Sequence, residues 1–163
     1  MRYITSIALP VLIFCSISVA QESVSVSATG SFSVLGYTTV TRLADLNFGD
    51  LVVGVTTTVD PRDPQAAQFL FSGSSNTVVD VTITFPNKLT CGSNSMNFSE
   101  LRPIYNTVPD AVTATEFKKK TGGSATTGAD GNLYIWAGGS VRANANQAAG
   151  SYTGIIQIVV TQP

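Results

Sequence analysis

Residues 23–34 read Ser-Val-Ser-Val-Ser-Ala-Thr-Gly-Ser-Phe-Ser-Val, an unbroken alternation of small polar residues with apolar or small ones. Side chains that recur at every second residue lie on the same face of a β-strand. The stretch therefore predicts a strand with one buried face. That face consists of Val24, Val26, Ala28, Gly30, Phe32 and Val34.

The same two-residue period returns later in the chain. It covers residues 79–85, where Pro86 ends the run, and the C-terminal residues up to Thr161. Because no strand pattern follows Thr161, we expect this last strand to be an open sheet edge. Its predicted inner face consists of Tyr152, Gly154, Ile156, Ile158 and Val160.

Shorter strand candidates fill the middle of the chain and are separated by Gly-, Asn-, Asp- and Pro-containing turns. No segment has a convincing helical period. Many short strands with polar turns are typical of an all-β fold, here an antiparallel immunoglobulin-like β-sandwich. The shorter candidates are residues 37–47, 51–59, 68–72, 97–101, 133–136 and 140–143.

The first residues have the pattern of a signal peptide. Arg2 precedes an apolar run over residues 7–19, which is shorter than the ~20 residues that span a bilayer. Small residues at Ser18 and Ala20 favour cleavage after Ala20, so we expect export and no membrane insertion afterwards. The predicted units are a signal peptide (1–20), an N-terminal extension that carries the first strand (21–36) and one β-sandwich domain (37–163).

Composition excludes several classes of function. The chain contains no histidine, which removes Ser-His-Asp and Cys-His relays and histidine metal sites. Only 12% of its 163 residues are charged and its net charge is -1, so nothing in the charge balance favours nucleic acid or an anionic membrane. We expect no enzyme activity, no catalytic or metal site, no cofactor and no nucleic-acid partner.

Three further features have both a structural and a functional interpretation. Cys91 is the only cysteine beyond the signal peptide, which excludes an internal disulfide, and no base stands near it in sequence to make it a nucleophile. The lysines at 118–120 suit a solvated loop tip better than a polyanion site. Tyr134 and Trp136 suit a core strand better than a sugar-stacking surface.

Two regions of the chain carry a family resemblance. Residues 138–154 combine Gly-Gly-Ser-Val, a loop of small residues and Gly-Ser-Tyr-Thr-Gly, and residues 46–49 read Leu-Asn-Phe-Gly. With the strand at 81–86, these blocks resemble a secreted bacterial family, domain of unknown function 4402. That family is similar to the spore-coat-U and archaic chaperone–usher pilins, whose subunits are incomplete immunoglobulin-like sandwiches.

The resemblance implies a structural subunit of a fimbria or pilus-like surface filament. In such pilins the N-terminal extension of one subunit supplies the strand that the next subunit lacks. The alternating strand at 23–34 is then the donor, and the C-terminal strand is an edge of the receiving groove. The implied partners are further copies of the chain, a periplasmic chaperone and an outer-membrane usher. The implied location is the periplasm and then the surface of a Gram-negative-type bacterium.

A rival interpretation keeps the first strand within its own chain. The protein would then be a monomeric secreted binding module, either an adhesin or a carbohydrate-binding domain. That alternative expects aromatic side chains on the surface, at Tyr134, Trp136 or Tyr152.

Overall fold

A computed structural model describes residues 24–31 and 38–162. The predicted signal peptide (1–20) lies outside these residues, as do Phe32 and Val34. The part described contains no α-helix and therefore none that could cross a membrane. The strands in chain order are β1 (Val24–Ser31), β2 (Thr39–Ala44), β3 (Leu46–Gly49), β4 (Thr56–Val59), β5 (Ala67–Ser72), β6 (Val78–Thr84), β7 (Lys88–Cys91), β8 (Asn94–Glu100), β9 (Ile104–Asn106), β10 (Thr115–Glu116), β11 (Gly122–Thr126), β12 (Asn132–Ala137), β13 (Gly139–Arg142) and β14 (Ile155–Thr161).

The strands form three sheets, which confirms the predicted all-β class and is consistent with a β-sandwich. The first sheet has the order β11-β6-β14-β1-β3, the second β10-β9-β12-β5-β2 and the third β4-β13-β8-β7. Among the described strands, every neighbouring pair is antiparallel except β1 with β14.

Three strands of the second sheet continue along the chain into, or out of, three adjacent strands of the third sheet. β12 and β13 are separated only by Gly138, and their neighbours on both sides, β5 with β4 and β9 with β8, are consecutive strands too. A side chain at Gly138 would overlap the carbonyl of Val59, and one at Gly139 would overlap the ring of Phe98. Gly138 and Gly139, which belong to the residues that carry the family resemblance, therefore allow the chain between β12 and β13 to lie close to β4 and β8.

One hydrophobic core joins the sheets. The inward residues of β6, Val79, Val81 and Ile83, are at most 2% exposed, and their neighbours Asp80 and Thr82 are exposed. β14 shows the predicted alternation as well. Its buried residues Ile156, Ile158 and Val160 belong to the same cluster as those of β1, β3, β5 and β12.

Several strand boundaries differ from those predicted. The run predicted as one strand at 37–47 is interrupted between β2 and β3 at Asp45, whose side chain accepts the Ala28 N–H and pairs with Arg42, and the β2 register is irregular between Arg42 and Ala44. Residues 51–59 form a strand only at β4. β7, β9, β10 and β11 were not predicted, since they are short or, in β11, built largely from small residues.

The expected open edge at the C-terminal strand is not observed within one chain. β14 lies between β6 and β1, because β1 folds back and pairs with it. Tyr152 and Gly154 precede the strand rather than belonging to it. The segment predicted as an extension (21–36) thus supplies an internal strand of the first sheet.

Candidate assembly site

β1 lies at a seam between two strands that are not neighbours of each other. Its first half pairs antiparallel with β3, where Val26 stands opposite Leu46. Its second half pairs parallel with β14, from Ser27 opposite Ile155 to Ser31 opposite Val159. β1 is therefore the strand that joins β3 to the rest of the first sheet.

A charged pair holds β1 at the point where it changes partner. The Ala28 N–H donates to Asp45 Oδ1 at 3.1 Å, and Arg42 Nη1 donates to the Ala28 carbonyl at 3.5 Å. Arg42 Nη1 also lies 3.0 Å from Asp45 Oδ1. Both side chains are about half exposed, so the ion pair itself contributes little. The pair matters because Asp45 and Arg42 supply partners for the Ala28 N–H and carbonyl, which lie beyond the last residue of β1 that pairs with β3.

Tyr152 supports the start of β1 from the other side. Its carbonyl accepts the Ser25 N–H at 3.3 Å. Its hydroxyl donates to the Ala148 carbonyl at 2.7 Å and accepts from Gln147 Nε2 at 2.6 Å. The ring is only 1% exposed, so Tyr152 is an internal anchor of the loop before β14.

The predicted donor-strand residues are placed as follows. Val26 is 0% exposed and Ala28 4% exposed, both within the common core, while Ser27 points outward. Val24 and Gly30 lie in β1, where their backbones pair with Gly49 and Ile158. Leu46, Ile156 and Ile158 lie fully buried in the same core, on the strands that flank β1.

The surface aromatics expected of a binding module are largely buried. Trp136 is 5% exposed and packs in a small second cluster with Ile104 and Ala114 on the outer face of β12. Tyr134 is half-buried, and its ring stacks on Trp136 with centroids 6.1 Å apart. Together with the buried ring of Tyr152, these positions leave no exposed aromatic platform at the three predicted residues.

Sequence reasoning missed the residues that hold β1. Asp45 carried one signal, an acidic residue inside an otherwise strand-like run, but its partner Ala28 is distant in sequence. Arg42 and the loop residues Gln147 and Ala148 carried no signal of their own. Their roles depend on which strands are neighbours, and the alternation of polar and apolar residues does not show which strands are neighbours.

The described residues offer no metal centre. They contain no group of three or more His, Cys, Asp or Glu side chains close enough to hold an ion. Cys91 is a half-buried free thiol. No protein-family model matches the sequence, and no curated protein does. The candidate site is therefore defined by strand pairing and burial.

Proposed function

We propose that the protein is an exported structural subunit of a fimbria or pilus-like surface filament that assembles by β-strand addition. The observation that supports this most is the position of β1. A strand from the beginning of the chain fills the space between β14 and β3, which do not pair with each other. Without β1, β14 keeps its pairing with β6 but exposes its other edge, β3 loses its partner in the first sheet, and a groove opens between them.

The groove without β1 has the properties of a strand-binding site. Leu46, Ile156 and Ile158 would lose their cover from Val26 and Ala28. Burying a side chain such as Val26 contributes about 1.5–3 kcal/mol, and the pairing along β14 adds directional hydrogen bonds. The same segment of another copy satisfies the same contacts, which is the basis of strand exchange between protomers.

Further features agree with the pilin-like form of the fold. The hydroxyl of Tyr152, just before β14, bonds to the backbone four residues upstream. That arrangement resembles the tyrosine corner of immunoglobulin-like sandwiches, in which a tyrosine hydroxyl bonds to the backbone a few residues upstream. With the resemblance to the domain of unknown function 4402 group, it supports an exported subunit that a periplasmic chaperone and an outer-membrane usher bring to the cell surface.

One observation favours the rival, a monomeric secreted binding module. In the isolated chain β1 already pairs with its own β14 and β3, so the sheet is complete without a second copy. In a filament β1 pairs with the β14 of another copy, whereas in a monomeric binding module it pairs with the β14 of its own chain. An experiment that reports the identity of the two chains therefore separates them.

A disulfide across the seam provides that experiment. Ser27 and Ile155 are exposed register partners, and neighbouring strands lie about 4.8 Å apart, within the Cα separation of a disulfide. The variant Ser27→Cys/Ile155→Cys would be made in a Cys91→Ser background, oxidised after assembly and run on a non-reducing gel. Strand addition between copies predicts a ladder of covalent multimers.

A matched pair controls for random cross-linking. Thr84 and Gln157 are exposed partners on β6 and β14, strands of the same body. Thr84→Cys/Gln157→Cys in the same background is expected to give only a monomer band. A monomer band from the seam pair as well would contradict strand addition and favour the binding module. A dimer band alone would show exchange without a filament and would also contradict the proposal.

A deletion tests the groove directly. Removing residues 21–34 should leave a body that is folded but unable to donate a strand, and that a peptide of residues 21–34 stabilises in a thermal melt. If the deleted protein is unfolded and the peptide has no effect, β1 is an inseparable part of the monomer.

A further inference from the structure

A cationic pocket lies at the edge of the sandwich remote from β3. β10 and β11 are edge strands of different sheets, and residues 117–121 connect them. A cavity of about 380 Å³ opens at this connection, within the size range of small-ligand sites. Its lining includes Tyr105, Glu116, Lys118, Lys119, Gly123 and Ser124. We propose that this pocket binds a carboxylated sugar residue of an acidic polysaccharide.

Basic residues are concentrated around the pocket. Glu116 pairs with Ile104 across β10 and β9, and the Phe117 N–H donates to the Pro103 carbonyl at 3.0 Å. Arg102 precedes β9 and Lys118 follows β10, so the two lie at the same end of this antiparallel pair. With the neighbouring lysines at 119–120, four of the nine basic residues lie in this corner, where they outnumber the nearby carboxylates of Glu100, Glu116 and Asp80.

The acidic side chains nearby are engaged elsewhere. Glu116 Oε1 lies 3.9 Å from Arg62 Nη1, and Glu100 Oε1 lies 3.6 Å from Lys120 Nζ. Asp80 Oδ1 accepts the Ser124 hydroxyl. Lys118 and Lys119 are exposed and have no acidic partner among residues 24–31 and 38–162. Both lysines line the pocket, and their ammonium groups are thus available to an incoming carboxylate.

The lysine loop is exposed, as its sequence predicts, and hydrogen bonds hold its backbone in place. The Gly122 N–H donates to the Lys119 carbonyl at 3.2 Å, and the Thr121 carbonyl accepts the Ile83 N–H at 2.9 Å. Gly122 has φ +97°, and a side chain there would overlap the Val81 carbonyl. Because the turn is tied to β6, binding costs less ordering of the backbone.

The rest of the pocket suits a sugar ring. Tyr105 is half-buried and packs on the buried ring of Phe117, with centroids 4.5 Å apart, so it offers a supported apolar wall. β11 has no strand on its outer side within the described chain, so its outward backbone groups beyond the Gly122 N–H, which bonds to Lys119, can bond to hydroxyls. A nucleic acid needs an extended basic track, whereas these cations occupy one corner among acidic neighbours.

The test uses polygalacturonate as the probe and its fully methyl-esterified form as the matched neutral ligand. Binding by protein of one oligomeric state would be measured by calorimetry at low and high salt. We expect binding to the acid form that weakens with salt, and little to the ester. Lys118→Gln/Lys119→Gln should weaken binding about tenfold, since two exposed ion pairs with the ligand are lost.

Two further variants separate a built site from general charge attraction. Lys88→Gln removes an exposed lysine on β7 and should leave binding unchanged. Tyr105→Leu keeps the contact with Phe117 but removes the ring wall, and should weaken binding without lowering the melting temperature much. Equal loss with Lys88→Gln, no effect of Tyr105→Leu, or equal affinity for double-stranded DNA would overturn the proposal. So would the absence of any binding to polygalacturonate.

Discussion

β14 has two neighbours in the first sheet, and they are attached in different ways. On one side β6 pairs antiparallel with residues 157–161, presents three buried residues to the core and pairs with β11 beyond. On the other side β1 pairs parallel over only half its length and then leaves for β3. β6 pairs with β14 and with β11 over five residues each, whereas β1 pairs over five residues with β14 and over only three with β3. Under the proposed function, β1 therefore leaves the sheet while β6 stays in it.

The largest loss of stability is expected at a residue of β14 that pairs with both β6 and β1. Ile158 pairs with Ile83 of β6 and with Gly30 of β1, and is 0% exposed. Ile158→Asp buries an unpaired carboxylate at a cost of several kcal/mol and should abolish soluble folded protein. Gln157→Asp, at the exposed neighbouring position, is the control and should be mild in a thermal melt. Equal tolerance of the two changes would show that the register of β14 is wrong.

A matched pair of variants tests whether β1 and β6 differ in how tightly the sheet holds them. Val81→Asp places a charge in the inner face of β6 and should unfold the protein. Val26→Asp places the same charge in β1 and should instead detach that strand, leaving a folded body that binds a peptide of residues 21–34. Circular dichroism and peptide titration report both outcomes. If Val26→Asp unfolds the protein as completely as Val81→Asp, β1 is not separable.

A smaller effect is expected from the charged pair at the seam. Asp45→Ala removes the acceptor of the Ala28 N–H and should cost about 1 kcal/mol, a typical value for one hydrogen bond. The loss should appear as faster hydrogen exchange confined to β1. Asp80→Ala, which removes an exposed hydroxyl contact on β6, should leave exchange in β1 unchanged. Faster exchange across the whole first sheet would indicate that β1 does not open on its own.

The smallest effect concerns a loop remote from the seam. The Thr113 hydroxyl and the Val112 N–H donate to the Asp110 carboxylate, and these bonds lower its pKa below the usual value of 3.8. A lowered pKa adds stability at pH above the usual value and loses it as pH falls through the folded pKa. Below pH 3.8 the loop over Trp136 should therefore loosen slightly.

Trp136 is the only tryptophan, so its fluorescence reports this loop. We expect a modest red shift on acidification that is absent from the pH dependence of Asp110→Asn. A change of equal size in that variant would assign the acid response to another group. Because Trp136 lies outside the β1 seam, the signal also distinguishes loop opening from strand release.

Sequence alternation predicted some strands well and their neighbours poorly. β6 and β14 were predicted because each alternates over seven residues, and the inner face of β1 was predicted at Val26 and Ala28 for the same reason. The pattern shows which face is buried but not which strand lies beside it. The pattern therefore predicted an open sheet edge at β14, whereas in the structure β1 pairs with that edge.

Other features needed contacts that no local pattern contains. β11 begins Gly-Gly, and its pairing with β6 depends on the close approach of Gly122 to Val81. The sequence allows Tyr152 to be a surface or a core aromatic, and only the structure shows that its hydroxyl donates to the Ala148 carbonyl. The cationic pocket arises because two edge strands of different sheets meet at one corner, which places Lys118 beside Tyr105.

The pairing of β1 with β14 also affects when the first sheet closes during folding. β1 is the first strand of the described chain and β14 the last, so their contact joins the two most distant strands. Contacts between distant chain segments form slowly, because the long loop between them must close first. The edge of β14 that β1 covers should therefore close after local strand pairs such as β7 with β8. Under the proposed function, this delay gives the same strand of a neighbouring copy time to pair with β14 instead.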